Sequence, residues 1–296
     1  MSSNFEDFDL DVVDLGAVSV RVRSGGRGTP LLLLHGHPQT LMMWENVAPA
    51  LAEDFFVIAP DLRGYGKSSK PVSDAEHIPY SKRVMAEDQI ALMAHFGFQR
   101  FDVCGHDRGG RVGYRLALDH PGAVSKLAVL DIIPPYEAFA RADKAFGLNY
   151  WHWFFLAQPF DRPERAIGAD PDHWFLLRHG GKRPPYFSEN ALADYLDCYR
   201  DPATIHATCE DYRAAASVDY ALDAADHGVN RIACPLLALW GANGFVGKNY
   251  DVLSIWRDWA DDVAGEALDC GHYVAEEKPE ETAAALLAFF KPHDDV

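Results

Sequence analysis

One short turn constrains this chain most: residues 105 to 110 read Gly-His-Asp-Arg-Gly-Gly, directly after the apolar run 101–104 and before a helical pattern over 109–119. Glycines in this frame allow a sharp passage from strand to helix and present the central side chain at the end of the sheet. That side chain is Asp107. A carboxylate held there can displace a leaving group from a tetrahedral carbon and form an ester that water then cleaves. On this motif alone, an ordinary turn in which Asp107 caps the helix is the alternative.

The first 133 residues alternate short apolar runs with longer helical patterns, which indicates βαβ units and a mainly parallel sheet. Buried strands are predicted at 30–34, 56–59, 101–104 and 126–130. Apolar residues at helical spacing predict a helix over 81–96, which Gly97 ends as a C-cap.

The composition changes at Pro134-Pro135, after which residues 136–225 are rich in aromatics and helix formers and show no convincing strand. Strand patterns return at 235–240 and 265–268, and a last helix is predicted over 277–290. We therefore expect an α/β core made of residues 1–135 and 226–296, a mostly parallel sheet flanked by helices, with residues 136–225 inserted as a helical cap.

Charge and cysteine usage narrow the classes of partner. The 296-residue chain is 48% hydrophobic, enough for a sizeable core, and its formal net charge of -17 makes nucleic acid and anionic membrane poor partners. Its five cysteines have no C-x-x-C spacing, which is typical of reduced thiols. Residues 1–10 lack the apolar stretch of a signal peptide, and no apolar run approaches the roughly 20 residues of a membrane helix. These features predict a cytoplasmic protein.

The order of the polar residues resembles that of α/β-hydrolases, in which nucleophile, acid and base follow one another along the chain. His272, in a late loop after the last predicted strand, has the position of the base, although a surface histidine is the alternative. The acid should come from a strand end. The loop after 235–240 offers Asn243 and no carboxylate, whereas Asp131 ends the apolar run 126–130. We therefore predict Asp131 as the acid, with a helix N-cap as its alternative role.

The turn His35-Gly36-His37-Pro38 follows the strand predicted at 30–34. In this fold, such a turn supplies one backbone N–H of an oxyanion hole, and the residue after the nucleophile supplies the other. We expect the main-chain N–H groups of His37 and Arg108 to serve here, with His35 in a structural role.

Together these features resemble the Asp-nucleophile branch of the α/β-hydrolases, which includes haloalkane dehalogenases, soluble epoxide hydrolases and fluoroacetate dehalogenases. The resemblance covers nearly the whole chain. It is carried by His35-Gly36, Asp61-Leu62-Arg63-Gly64-Tyr65-Gly66, Gly105-His106-Asp107-Arg108-Gly109-Gly110-Arg111, Asp131, Tyr150-Trp151-His152-Trp153 and Gly271-His272. The elbow heptapeptide and the aromatic tetrapeptide are its most specific parts and look like fluoroacetate dehalogenase. His37 departs from the pattern, since the family usually has Phe there.

The resemblance implies hydrolytic removal of halide from a small haloacetate, without a cofactor or metal, by a homodimer. It assigns Asp107 as nucleophile, His272 as base and Asp131 as the acid that orients the base. It further assigns the substrate carboxylate to Arg108 and Arg111, and the leaving halide to His152, Trp153 and Tyr212. Surface exposure for Arg111 and core packing for Trp153 are the alternatives, and Tyr195, Tyr199 and Tyr220 compete with Tyr212.

Three other functions fit parts of the pattern less well. An epoxide hydrolase shares the Asp and His, uses two cap tyrosines and has no use for an arginine clamp. A haloalkane dehalogenase would have Trp at position 108 and an apolar pocket. A non-catalytic small-molecule receptor on the same scaffold would commonly lack one of the three catalytic residues, and this chain has all three.

Overall fold

The computed structural model of the protein describes residues 4–177 and 179–291. Its centre is a sheet of eight strands in the order β1-β2-β4-β3-β5-β6-β7-β8. The strands are β1 Asp9–Asp14, β2 Ser19–Gly26, β3 Thr29–Leu34, β4 Phe55–Pro60, β5 Phe101–His106, β6 Val124–Leu130, β7 Leu236–Gly241 and β8 Val263–Leu268. Strand β2 pairs antiparallel with β1 and β4, and all later pairs are parallel. The predicted mostly parallel sheet is confirmed.

Helices cover both faces of the sheet and extend beyond its carboxyl end. Before the insertion they are α1 Ala48–Leu51, α2 Lys82–His95 and α3 Asp107–Asp119. Between β6 and β7 the described residues form helices and no strand, apart from an isolated β-bridge of Ile232 to Ala260. These helices are α4 Pro135–Ala140, α5 Lys144–Asn149, α6 Trp151–Leu156, α7 Arg162–Gly168, α8 Pro171–Leu177, α9 Glu189–Tyr199, α10 Pro202–Ala214, the π-helical turn Ala215–Asp219 and α11 Tyr220–Asp226. The remaining ones are α12 Phe245–Asn249, α13 Val252–Trp259, α14 Val274–Glu277 and α15 Pro279–Phe290. Short 3₁₀ helices occupy Phe5–Asp7, Leu41–Trp44 and Ile78–Tyr80.

The sheet is buried where its parallel strands lie side by side. Residues Leu31 to Leu34 of β3 are fully buried, as are most side chains of β5 and β6. The outer strand β1 is exposed along most of its length, and its charged residues leave no apolar run that would have predicted it. Since the carboxyl ends of parallel strands open at one edge of a sheet, the loops after β3, β5, β6 and β8 meet there. Within the described residues, no helix has both the length and the apolarity needed to span a bilayer.

Candidate active site

The backbone is closely packed at the turn between β5 and α3. A Cβ on Gly105 would lie 2.5 Å from the carbonyl oxygen of Gly109, and one on Gly109 would lie 2.4 Å from that of Leu34, so side chains are excluded at both positions. Asp107 sits between them with φ 44, in the left-handed region that non-glycine residues rarely adopt. Helix α3 begins at Asp107 itself, two residues before the predicted start. The buried carboxylate is therefore fixed at the end of the sheet.

The two oxygens of the Asp107 carboxylate have different surroundings. Oδ1 accepts a hydrogen bond from the main-chain N–H of His37 at 3.0 Å. Oδ2 accepts one from Nη1 of Arg111 at 2.9 Å and lies 3.9 Å from Nε2 of His272. Burial alone would raise the pKa of Asp107, but the charges of Arg111, His272 and Arg108 outweigh it and hold the pKa well below its usual value. The carboxylate is ionised and its Oδ2 faces the histidine.

His272 contacts Asp131, the residue predicted as the acid. Nδ1 of His272 lies 2.5 Å from Oδ2 of Asp131, and Oδ1 of Asp131 accepts from the main-chain N–H of Gly241 at 3.0 Å. Asp131 is buried and also has a left-handed backbone, with φ 49. Asn243, in the loop without a carboxylate, donates to Asp269 instead. The arrangement leaves Nε2 of His272 directed at Asp107, beyond direct hydrogen-bond distance.

Arg108 has a partner that the sequence did not indicate. Its fully buried guanidinium donates from Nε and Nη2 to the two carboxylate oxygens of Asp211, each at 2.9 Å, and from Nη2 to the Asp211 carbonyl. Asp211 also accepts from Tyr65 Oη at 2.5 Å and from Lys82 Nζ. Arg108 thus ties the elbow to α10, and only its Nη1 is without a hydrogen-bond partner among the described residues. Of the Arg108 donors, only Nη1 is therefore left for the predicted contact with a substrate carboxylate.

Arg111 lies one helical turn beyond Asp107, and it is buried rather than exposed. Its guanidinium carbon stands 4.7 Å from the centre of the Trp153 ring, and its Nε has no hydrogen-bond partner within the described parts of the chain. A planar guanidinium held against an aromatic face keeps its edge free for a second acceptor. Arg111 can therefore contact the nucleophile and another anion together.

Three predicted residues of the insertion meet above the elbow. The ring centres of His152 and Trp153, both on α6, lie 5.9 and 6.1 Å from that of Tyr212 on α10, and all three side chains are buried. Trp153 Nε1 is buried without a hydrogen-bond partner among the described residues. Of the competing tyrosines, Tyr195 donates to Glu276 and lies apart from this group. The structure thus brings Tyr212 together with His152 and Trp153.

The buried donors at this place share one property. Nη1 of Arg108, Nε of Arg111 and Nε1 of Trp153 are all N–H donors, and two belong to cations. Buried donors require an acceptor, because leaving one unsatisfied costs about 1–3 kcal/mol. An anion satisfies such a set best. Within the described residues, the side chains spaced to hold a metal ion are Glu137, His227 and Asp258, which lie outside this site, and Glu137 already accepts from Arg141.

A cavity of about 510 Å³ opens towards His272. Both His152 and His272 line it, so it connects the insertion and the core. Tyr186, Tyr273 and Glu277 also line it. Helix α6 and the loop after β8 therefore border the same space.

The α/β-hydrolase fold family matches residues 29–279. A fluoroacetate dehalogenase from Burkholderia sp. is 45% identical over 288 residues, which cover 96% of this chain and 94% of that protein. A soluble epoxide hydrolase from Corynebacterium sp. (strain C12) is 35% identical over 278 residues, covering 91% and 92%. A crystal structure of an α/β-hydrolase-fold protein from Nostoc sp. PCC 7120 superimposes with a TM-score of 0.95 at 49% identity, covering 98% of this chain and 100% of that one. The predicted resemblance to fluoroacetate dehalogenase is confirmed, and the chain belongs to the α/β-hydrolase family of enzymes.

Proposed function

We propose that the protein hydrolyses the carbon–halogen bond of small 2-haloacids, with fluoroacetate converted to glycolate and fluoride as the favoured reaction. One observation carries the proposal: an ionised, buried Asp107 lies next to buried N–H donors of Arg108, Arg111 and Trp153 that have no partner among the described residues. A carboxylate nucleophile with cationic donors around it suits a substrate that is itself an anion and releases an anion. The 45% identical fluoroacetate dehalogenase supports the same assignment.

In the first step, Oδ2 of Asp107 attacks the halogen-bearing carbon, and the carbon–halogen electron pair leaves with the halide. This oxygen faces His272 and Arg111, whereas Oδ1 is held by the His37 N–H. The product is an ester between Asp107 and the hydroxyacid. Because carbon–oxygen bond formation needs no base, His272 is idle in this step.

In the second step, His272 takes a proton from water, and the hydroxide adds to Cγ of the ester. Negative charge then develops on Oδ1, which the His37 N–H already contacts at 3.0 Å. Collapse breaks the bond between Cγ and the ester oxygen, and the hydroxyacid leaves with a proton from His272. Asp107 then returns to its carboxylate by releasing the remaining hydroxyl proton to solvent. Asp131, 2.5 Å from Nδ1, stabilises the imidazolium that forms between these transfers.

The substrate carboxylate in this proposal contacts Arg111 and Nη1 of Arg108. Arg111 has the larger share, because the other donors of Arg108 are committed to Asp211. A substrate carboxylate that accepts from Nε of Arg111 also weakens the hold of the same guanidinium on Oδ2 of Asp107, which favours attack by Oδ2. The departing halide is stabilised by His152, Trp153 and Tyr212, each hydrogen bond to a charged acceptor contributing about 1.5–3 kcal/mol.

Epoxide opening is a second candidate. The soluble epoxide hydrolase relative supports it, as do two buried tyrosines, Tyr199 and Tyr212, whose ring centres lie 5.9 and 5.5 Å from that of His37. The ion pair on the nucleophile favours haloacids instead, since an uncharged epoxide cannot draw Arg111 away from Asp107. Parallel assays with haloacetates and a neutral epoxide separate the two.

The decisive experiment is turnover of fluoroacetate and chloroacetate by the purified protein, followed by a single turnover in H₂¹⁸O. We expect halide release, ¹⁸O in the Asp107 peptide and unlabelled oxygen in the first glycolate formed. Label in glycolate with none in the protein would instead mean that His272 activates water against the carbon. Asp107→Asn should release no halide, and turnover of the epoxide alone would replace the haloacid proposal by the second candidate.

The state of the cysteines bears on the cellular location of the enzyme. All five cysteines are free, and burial raises the pKa of Cys104, Cys198, Cys209, Cys234 and Cys270, so they behave as small apolar residues. This use of cysteine fits the reducing cytoplasm, which we propose as its location. A homodimer is proposed from the family alone.

A further inference from the structure

A line of buried polar groups runs behind the catalytic histidine and ends at its main chain. Oε2 of Glu276 on α14 contacts Nε2 of Gln39, and Oε1 of Gln39 lies 3.1 Å from Nδ1 of His106. Nε2 of His106 lies 2.8 Å from the carbonyl oxygen of His272, and Tyr195 Oη donates to Glu276 Oε1 at 2.8 Å. The line connects the loop after β3, the residue before the nucleophile and the loop that carries the base.

The proton count at His106 decides the direction of these hydrogen bonds. The ring is fully buried, and burial together with the charge of His272 lowers its pKa to about 3, so it is neutral and has one N–H. A carbonyl oxygen can only accept. The single N–H therefore belongs on Nε2, facing the carbonyl of His272, and Nδ1 is an acceptor.

Because Nδ1 of His106 is an acceptor, the group of Gln39 that faces it must be a donor. The two ends of a carboxamide have the same outline, so its partners decide which end faces which group. With its NH₂ towards His106, Gln39 turns its oxygen towards Glu276, and an oxygen facing an ionised carboxylate would be repelled. Glu276 must then donate, which only the protonated acid can do.

The surroundings of Glu276 agree with a neutral acid. No arginine, lysine or histidine in the described chain forms an ion pair with it, and it is 6% exposed. Burial raises its pKa well above the usual value, and the nearby carboxylates Glu45 and Glu277 raise it further, against hydrogen bonds from Tyr195 and Gln39. The titratable and charged groups around His106 are Asp107, Arg111 and His272.

We propose that Glu276 is a positioning residue that works as a neutral carboxylic acid. Its proton goes to Gln39, Gln39 donates to Nδ1 of His106, and His106 donates Nε2–H to the carbonyl of His272. This line of hydrogen bonds fixes the main chain of the base relative to the nucleophile, because His106 is covalently next to Asp107. Its effect on turnover rests on the proposed role of His272, whereas the direction of the hydrogen bonds does not.

The direction is measured without substrate. In protein labelled with ¹⁵N-histidine, the ring nitrogens of His106, assigned by their loss in His106→Asn, should show a protonated Nε2 and a bare Nδ1. The infrared difference between wild type and Glu276→Gln should contain the band of a protonated carboxyl. A protonated Nδ1, an imidazolium, or the loss of a carboxylate band would overturn the proposal whether or not haloacetate is turned over.

Kinetics then test the positioning role. Glu276→Gln keeps a donor to Gln39 and an acceptor for Tyr195, so the His106 tautomer and kcat should not change. Gln39→Glu places an acceptor against His106, so the proton should move to Nδ1 and kcat should fall about threefold to tenfold at unchanged KM, the worth of one hydrogen bond. Glu45→Gln removes a negative charge near Glu276 without touching the line and should alter neither readout. An unchanged tautomer and kcat in Gln39→Glu would reject the inference.

Discussion

The site has a core side, formed by residues that follow strands β5, β6 and β8, and an insertion side, formed by the helices between β6 and β7. The two sides are held in different ways. On the core side, Asp107, Asp131 and His272 lie at strand ends, and each is fixed by hydrogen bonds of 2.5 to 3.0 Å within the protein. On the insertion side, Trp153 meets the site through ring contacts, and its Nε1 has no hydrogen-bond partner among the described residues. The core therefore holds its carboxylates and histidine by internal hydrogen bonds, and the insertion adds Trp153 Nε1 to the buried donors Nη1 of Arg108 and Nε of Arg111, none of which has a hydrogen-bond partner among the described residues. Substitutions on the two sides should therefore impair the protein in different ways.

The largest effect is expected from His272→Asn, which removes the base and leaves Asp107 intact. Alkylation needs no base, so the variant should accumulate the ester while steady-state turnover falls about 10²- to 10⁴-fold. Mass spectrometry of the peptide containing Asp107 after incubation with chloroacetate measures the adduct. An unmodified peptide would mean that His272 is already needed to form the ester, and not only to hydrolyse it.

Arg108→Leu tests the tie between the two sides. It leaves the buried Asp211 carboxylate with Lys82 and Tyr65 only, so the free energy of unfolding should fall by about 3 kcal/mol. Denaturant unfolding of this variant beside Arg100→Leu, an exposed arginine, gives the comparison. If both variants lose the same small amount, the contact with Asp211 is not what joins α10 to the elbow.

Arg111→Leu removes a cation that the proposal gives to the substrate carboxylate. We expect KM to rise and kcat/KM to fall about 10- to 100-fold, as for the loss of a charge-assisted hydrogen bond, while Arg111→Lys retains part of the affinity. Steady-state kinetics with chloroacetate measure the effect. Unaltered kinetics would show that Arg111 only pairs with Asp107.

The smallest effect, and the most selective, is expected from Trp153→Phe. The change keeps most of the apolar bulk and deletes one N–H, so kcat for fluoroacetate should fall about tenfold and kcat for chloroacetate much less, since fluoride is the poorer leaving group. The ratio of the two kcat values is the readout. Equal losses on both substrates would make Trp153 a packing residue.

On the core side the sequence signals are local. A polar residue at the end of an apolar run selects Asp107 and Asp131 as candidates without knowledge of distant contacts, and flanking glycines mark Asp107 further. The strands predicted at 30–34 and 126–130 occur as Thr29–Leu34 and Val124–Leu130, so only their ends moved. Strands β1 and β2 were not predicted; β1 lies at the exposed edge and β2 is only half buried, so neither forms a continuous apolar run.

The network around Asp211 was invisible for the opposite reason. Its partners Arg108, Lys82 and Tyr65 are 103, 129 and 146 residues away in the chain, and none belongs to a local pattern with it. The same holds for Glu276 and Gln39, which are 237 residues apart. Local patterns cannot show that Arg108 is already paired with Asp211, so both Arg108 and Arg111 were assigned to the substrate carboxylate.

The left-handed backbone of two site residues limits how this enzyme can be made more heat-resistant. Among the described residues, the non-glycine positions with positive φ are His77, Asp107 and Asp131, each strained by about 1–2 kcal/mol relative to a common conformation. Glycine would relax any of the three. At Asp107 and Asp131 that substitution deletes the proposed nucleophile or the carboxylate that contacts His272, so we expect a screen for thermal tolerance alone to select inactive protein. Laboratory evolution of this scaffold needs an activity filter at every round, and its gains must come from positions outside the elbow.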